Sequence, residues 1–171
     1  SGSRGTAVGR NWAVGRLLLV WPGAERILYL GAGATLLDLS GGQVRFVHQL
    51  LQEYFAAAAW QTRFERCEEM RRYWEMHWAM RQHWPDGWVM PNGWEETAVL
   101  LAGMLPDMTA FVEALLPVNP ALAARCIAES GGAPPGKATV AKVQGTLAAI
   151  ATSLTAPVEE RNVAGNALNY V

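Results

Sequence analysis

Residues 35–48 read TLLDLSGGQVRFVH, and this stretch carries the clearest local structural signal in the sequence. Leu37 and Leu39 alternate with polar neighbours before the glycine pair, and Val44 and Phe46 alternate in the same way after it. Alternation with a period of two is typical of strands, and paired glycines supply the positive φ angles of a tight turn. The stretch therefore predicts a β-hairpin over residues 35–48.

His48 ends the second predicted strand directly before a helix predicted over residues 49–60. Period-two alternation places His48 on the same face as Val44 and Phe46. An imidazole next to the first free N–H groups of a helix is well suited to an anion. A hydrogen-bonded structural histidine is the alternative, and it is the one that geometry alone favours.

The rest of the sequence indicates helices. Breakers at Pro22-Gly23 favour two short helices in residues 15–30, and a long amphipathic helix is predicted over residues 63–84. Further helices are predicted over 94–105, 107–116, 120–130, 138–154 and 157–171. Asn119-Pro120 and Pro106-Asp107 are typical helix starts, and Gly131 is a typical stop. Short helices with one apolar face favour an α-solenoid, and a compact helical bundle is the alternative.

Composition excludes several classes of protein. Hydrophobic residues make up 51% of the 171 residues and charged residues 17%, which excludes disorder over most of the chain. The formal charge of −1 provides no field that would concentrate nucleic acid, so DNA binding is not expected. The apolar runs are too short to cross a membrane. The widely spaced Cys67 and Cys126 indicate buried thiols in a reducing cytosol rather than a disulfide or zinc site.

Motifs for catalysis are missing from the sequence. Lys137 and Lys142 are the only lysines, and neither lies in a GxxxxGK[ST] phosphate loop. Gly31 and Gly33 indicate a helix stop, because the third glycine of a dinucleotide fingerprint is absent. His77 and His83 point in different directions on a helix, so no metal site is expected. We therefore expect no enzyme activity from this chain itself.

A tryptophan-rich stretch and two acidic pairs allow both structural and functional interpretations. The tryptophans are Trp74, Trp78, Trp84, Trp88 and Trp94. They favour a packing surface between subdomains, and a stacking platform for bases or sugars is the alternative. The acidic pairs are Glu95-Glu96 and Glu159-Glu160. Their positions near predicted helix starts suit the positive end of the helix dipole better than catalysis.

Residues 44–57, VRFVHQLLQEYFAA, resemble the end of the winged-helix subdomain in NACHT-type signal-transducing NTPases of the STAND class. In that family a hairpin ends in an aromatic-x-His element and continues into a helix with a QEYFAA-like core. Residues 94–105, WEETAVLLAGML, are similar to the helix that opens the helical region of bacterial members. Residues 161–168, RNVAGNAL, are similar to their HEAT-like repeats. The phosphate loop and the magnesium-binding strand of the family are absent from this sequence.

The resemblance implies a role for His48. In the family, the winged-helix histidine contacts the β-phosphate of bound ADP and helps to hold the protein closed, and exchange for ATP releases it. The resemblance also implies that Tyr54 and Phe55 anchor the helix that positions His48. ADP or ATP would be bound mainly by an NTPase core that this sequence lacks.

The combined expectation is a mainly α protein, with a winged-helix subdomain containing a short β-hairpin followed by an α-solenoid of HEAT-like helices. We expect a flexible segment over 1–15, the winged helix over 16–62, a connecting helix and Trp-rich loop over 63–93, and the HEAT-like region over 94–171. The start of the sequence, which lacks methionine, suggests a piece of a longer protein.

The expected function is that of a cytoplasmic regulatory fragment of a STAND NTPase, with prokaryotic antiphage defence as a candidate setting. Its expected partners are the upstream NTPase domain and a protein, or a second copy, bound through the helical region. Membranes are not expected partners. A free-standing helical adaptor that recognises a protein or peptide is the alternative function.

Overall fold

A computed structural model describes residues 8–9, 24–64 and 95–171 of the chain. These residues are mainly helical and include a small antiparallel sheet. The chain divides into two compact units, Ser1–Glu53 and Tyr54–Val171. The described elements are β1 (Val8–Gly9), α1 (Ala24–Gly33), β2 (Leu37–Asp38), β3 (Gln43–Phe46), α2 (Gln49–Phe64), α3 (Glu95–Met104), α4 (Thr109–Leu115), α5 (Pro120–Glu129), α6 (Lys137–Thr152) and α7 (Val158–Ala167).

The predicted hairpin is confirmed. Strands β2 and β3 pair in antiparallel fashion, with Leu37 opposite Phe46 and Asp38 opposite Arg45. The connection contains a short 3-10 turn, and both turn glycines have positive φ angles, 62° at Gly41 and 71° at Gly42. These angles are accessible to glycine at no steric cost, which explains why the glycine pair could be recognised in the sequence.

Strand β1 forms the other edge of the sheet, with Val8 opposite Val44. The sequence did not predict this strand, because the two residues Val8 and Gly9 are too few to show an alternating pattern. Mobility of the remaining residues in the 1–15 segment stays a prediction, since they lie outside the described residues.

The first unit has a small apolar core. Leu28 of α1 and Val44 of β3 are buried, and Leu37 and Leu39 pack against them. Helix α1 ends at Gly33, as the predicted helix stop requires. Two predicted helical segments, residues 15–21 and most of residues 63–84, lie outside the described residues.

The five helices predicted over residues 94–171 are confirmed to within a few residues at each end. The Asn119 side chain caps α5 by accepting a hydrogen bond from Leu122 N at 3.0 Å, and Pro120 is the first helical residue. Helix α4 begins at Thr109, whose N–H donates to the Asp107 carboxylate at 2.8 Å. Gly131, with φ of 68°, follows the end of α5, as predicted for a helix stop.

Helix α5 lies at the centre of the second unit. It packs against α3, α4, α6 and α7. Its buried residues are Pro120, Leu122, Ala123, Ala124 and Cys126. Burial raises the pKa of the Cys126 thiol to about 12, so the thiol stays protonated, in agreement with the prediction of a buried thiol at this position. The corresponding prediction for Cys67 lies outside the described residues.

Among the described helices, no segment is long and apolar enough to cross a lipid bilayer.

A close backbone contact in the second unit involves Gly103 of α3. A Cβ atom added at Gly103 would lie 2.3 Å from the carbonyl oxygen of Ser130, at the end of α5. The Ser130 oxygen belongs to the backbone, so it can move away from such a Cβ only if α3 and α5 separate. The close approach of α3 and α5 therefore requires glycine at this position.

We expect the substitution Gly103→Ala to lower the free energy of unfolding by about 1 to 3 kcal/mol, the usual cost of overpacking a close contact. Urea denaturation followed by circular dichroism would measure the change. The matched control is Gly145→Ala in α6, where an added Cβ meets no atom within 4 Å. Because alanine favours a helix over glycine, the control should be neutral or stabilising by up to about 1 kcal/mol. Equal effects of the two substitutions would contradict the steric explanation.

Candidate functional site

His48, the predicted site residue, lies at the junction between β3 and α2. The strand ends at Phe46, and the helix begins at Gln49. The His48 carbonyl accepts hydrogen bonds from Leu51 N at 3.1 Å and Gln52 N at 3.4 Å. The backbone of His48 therefore starts the hydrogen-bond pattern of α2.

The side chain of His48 is exposed. Strand alternation predicted His48 on the same face as Val44 and Phe46, but β3 ends at Phe46, so the alternation does not extend to His48. The backbone of Val47 is hydrogen-bonded to the start of the hairpin, since its N–H donates to the Leu36 carbonyl at 3.0 Å. The junction thus holds the backbone of His48 while leaving its imidazole accessible to solvent.

The first turn of α2 contributes polar groups to the same place. In any α-helix the first backbone N–H groups lie outside the i to i−4 pattern and remain available to an anion or a cap. Here the N–H groups of Leu51 and Gln52 already donate to the His48 carbonyl, so the groups in question are those of Gln49 and Leu50, directly after His48. An imidazole N–H is a hydrogen-bond donor, so His48 and the start of α2 each offer donors that suit an anionic oxygen such as that of a phosphate.

Glu53 is a buried carboxylate one turn further along α2, with only 7% of the residue exposed. It accepts a hydrogen bond from the Gln49 side-chain amide at 2.7 Å. This contact links the first residue of the helix to a buried position and restrains the first turn. In the sequence, Glu53 is recognisable only as a residue of the 44–57 stretch that resembles STAND proteins, because helical spacing does not indicate that a carboxylate is buried.

The expected anchoring role of Tyr54 and Phe55 has limited support. Their rings make an edge-to-face contact at 5.6 Å, but 48% of Tyr54 and 46% of Phe55 are exposed. The buried position in this part of α2 is Ala57. Periodicity identified an apolar face on α2, but it did not show which part of that face is buried.

The turn of the hairpin is fixed by Asp38. Its carboxylate accepts hydrogen bonds from the backbone N–H and the hydroxyl of Ser40, each at 2.9 Å. These hydrogen bonds, together with the positive charge of Arg45 on the paired strand, lower the pKa of Asp38 below its usual value. The hairpin that carries His48 therefore has a polar restraint at its turn in addition to the strand pairing.

The other residues considered for chemistry take structural positions or lie outside the described residues. Glu95 and Glu96 are in the first turn of α3, and Glu159 and Glu160 are in the first turn of α7, as predicted. Lys137 and Lys142 both lie within α6. The tryptophans Trp74, Trp78, Trp84, Trp88 and Trp94, with His77 and His83, lie outside the described residues. Within the described ranges, no three His, Cys, Asp or Glu residues come together in a way that could hold a metal ion.

Comparison with known proteins finds no match, whether to protein-family models, to curated protein sequences or to solved structures.

The Asp38 turn gives a pH-dependent prediction. Because the pKa of Asp38 is lower in the folded protein than in an unfolded chain, its contribution to stability is present above about pH 4 and is lost as the pH falls through the folded pKa. The substitution Ser40→Ala removes the hydroxyl hydrogen bond and should move the pKa of Asp38 upward, toward its ordinary value. Carbon-detected NMR of the side-chain carboxyl groups would follow both titrations.

Asp107 is the internal control for this measurement. Its pKa is also lowered, in this case by hydrogen bonds from Thr109, and Ser40→Ala should leave it unchanged. If Asp38 already titrated at its ordinary value in the unmodified protein, the turn contacts would have no effect on the carboxylate.

Proposed function

We propose that this chain is a regulatory part of a NACHT-type STAND NTPase, in which His48 senses the phosphate groups of bound ADP and couples them to opening and oligomerisation. Prokaryotic antiphage defence is the candidate setting, and the cytoplasm the candidate location. Nucleotide hydrolysis is assigned to a separate upstream NTPase domain. The proposal rests on the sequence resemblance of residues 44–57 and on the position of His48.

One observation carries the proposal. The imidazole of His48 is exposed at the point where a hairpin strand passes into a helix, and its backbone is held by the Leu51 and Gln52 hydrogen bonds. A histidine that stabilises the fold through a buried hydrogen bond would have its ring in the core. An exposed ring on a restrained backbone is instead suited to a group that comes from outside the described residues.

The residues present fit a nucleotide phosphate. His48 would donate a hydrogen bond to a phosphate oxygen, and the N–H groups at the start of α2 would add to the attraction. The contact between Gln49 and Glu53 would keep the first turn in place. When bound, the nucleotide supplies the negative charge that His48 recognises.

The proposed regulation follows from a difference in contacts. A ligand shifts an equilibrium between two conformations only if it binds one of them better. A phosphate bound jointly by the NTPase core and by His48 favours the closed state. We propose that exchange of ADP for ATP removes the His48 contact and frees the winged helix, so that the helical region exposes surfaces for oligomerisation.

The packing in the second unit supports a HEAT-like solenoid as part of this proposal. Helix α5 contacts α3 and α7, two positions away on either side, and α4 contacts α6 in the same way. Helices α4 with α5, α5 with α6, and α6 with α7 pack as sequence neighbours. Extensive packing between helices one or two positions apart is typical of stacked helical pairs.

We expect His48→Ala to speed the release of ADP from the complete protein that contains both this chain and its NTPase domain. Losing a charge-assisted hydrogen bond should increase the release rate by about tenfold or more, since such a bond contributes about 1.5 to 3 kcal/mol. Stopped-flow release of a fluorescent ADP analogue would measure the rate, and size-exclusion chromatography with light scattering would report oligomerisation.

Val47→Ala is the matched control, because Val47 is the adjacent exposed residue and lacks a polar side-chain group. It should leave ADP release unchanged. Equal release rates for His48→Ala and the unmodified protein would assign His48 a structural role. The absence of a phosphate-loop domain from the complete protein would also overturn the proposal.

A protein-binding adaptor is the second candidate, favoured by apolar side chains exposed on the second unit. Leu154 is 93% exposed, and Val158, Val163 and Tyr170 are each about half exposed. The sequence placed the adaptor surface at Trp74 and Trp78, which lie outside the described residues. The adaptor function requires a partner that binds this chain in the absence of any nucleotide.

A further inference from the structure

The side chain of Arg161 in α7 has an unsatisfied hydrogen-bond donor. Its Nε atom is buried and has no hydrogen-bond partner among the residues that the structure describes. Arg161 forms no ion pair with any residue in the described ranges. Because the accessible surface of Nε is negligible, an acceptor from outside would meet the terminal N–H groups of the guanidinium.

Arg161 lies in a groove formed by α7 and the end of α6. The groove has a volume of about 510 Å³ and is lined by Ala151, Val158, Arg161, Asn162, Gly165 and Asn166. Two asparagine side chains thus lie beside the guanidinium, and they offer further N–H donors. Among the lining residues, Arg161 is the only charged one. The groove therefore combines a positive charge with several donors and an apolar wall.

Arg125 in α5 shows what an arginine does in a similar sequence context in this protein. Residues 125–128 read RCIA and residues 161–164 read RNVA. Arg125 binds two carboxylates, Glu96 of α3 at 2.5 Å and Glu129 at 2.6 Å, four residues further along its own helix. The position four residues after Arg161 is Gly165, which has no side chain that could pair with the guanidinium.

We propose that this groove is a binding site for the carboxylate of an aspartate or glutamate side chain on a protein partner. A carboxylate has two acceptor oxygens in the geometry that a guanidinium binds best. Binding would use the terminal N–H groups of Arg161 and the side-chain amides of Asn162 and Asn166.

A protein partner is favoured by the surroundings of the groove. Leu154, in the loop between α6 and α7, is almost completely exposed, and Val158, on the groove wall, is half exposed. An arginine next to exposed apolar side chains is typical of the centre of a protein interface. The proposal does not depend on nucleotide sensing by His48, because all of its residues lie in the second unit.

NMR spectroscopy of the 171-residue chain would test the site directly. A capped hexaglutamate peptide, titrated at constant ionic strength, should shift the Nε–Hε signal of Arg161 and the side-chain amide signals of Asn162 and Asn166 in a saturable way. Capped hexaglutamine and inorganic phosphate, added in parallel, should have much weaker effects. The substitution Arg161→Gln should abolish saturation, whereas Arg26→Gln, which removes an exposed arginine of α1, should not.

A matched pair of substitutions at Gly165 supplies a sharper test. An added Cβ at Gly165 meets no atom within 4 Å, so the position has room for a side chain to start. Gly165→Glu places a carboxylate four residues after Arg161, as Glu129 is placed relative to Arg125, and should compete with the peptide. Gly165→Gln has the same shape without the charge. We expect Gly165→Glu to weaken hexaglutamate binding by about tenfold relative to Gly165→Gln.

Each outcome decides the proposal. Saturable shifts that require Arg161 and are lost in Gly165→Glu would support a carboxylate site. Shifts of equal size with phosphate would show a general anion site and overturn the assignment to a carboxylate. No saturable shift, or the same binding by Arg161→Gln, Gly165→Glu and Gly165→Gln variants that remain folded by circular dichroism, would overturn the site itself.

Discussion

Close packing around α5 is the constraint on which the second unit depends. The buried side chains of this helix are mostly small, and Ala123, Ala124 and Cys126 are completely buried. Small side chains allow neighbouring helices to approach closely, and the Gly103 contact with the Ser130 carbonyl shows how close α3 comes. Larger core residues such as Phe111 and Leu101 then fill the space around α5. Four helices can therefore pack against one short helix of ten residues.

This packing determines where the charged groups lie. With α5 buried along much of its length, its charged residues Arg125 and Glu129 lie at the edge, where Arg125 reaches Glu96 of α3. The ion pairs are partly exposed, so their contribution to stability is small, but they show the geometry that an arginine adopts on these stacked helices. Arg161 lies on α7, two helices further along the chain, and forms no ion pair with any described residue. The difference between the two arginines identifies the groove as a candidate for an external ligand.

The first unit is stabilised in a different way. Its apolar core is small, with Leu28 and Val44 as the buried members, and polar contacts at the hairpin turn add to it. Strand pairing, the Asp38 turn and the backbone hydrogen bonds of His48 together restrain the junction with α2. An exposed imidazole on a restrained backbone is the feature that makes the nucleotide-sensing proposal physically reasonable. The resemblance to STAND proteins provides the identity of the proposed ligand, which the arrangement of residues alone does not.

The sequence by itself determined the elements that depend on local chemistry. The Gly41-Gly42 turn, the Asn119 cap and the Gly131 stop were all predictable, because each depends on the preference of one or two residues for particular backbone angles or local hydrogen bonds. The helices α3 to α7 were predictable from such local signals at their ends and from the periodicity of their apolar residues. These signals are short in range and need no knowledge of the fold.

Only the tertiary structure decided which faces are buried and which donors lack partners. The half-exposed Tyr54 and Phe55, the buried Glu53 and the unpartnered Nε of Arg161 all depend on residues distant in sequence or on the local course of the chain. The exposure of His48 depends on β3 ending at Phe46, which period-two alternation does not predict. Burial is a property of the packed chain, because the same side chain is buried or exposed according to what other helices and strands place next to it.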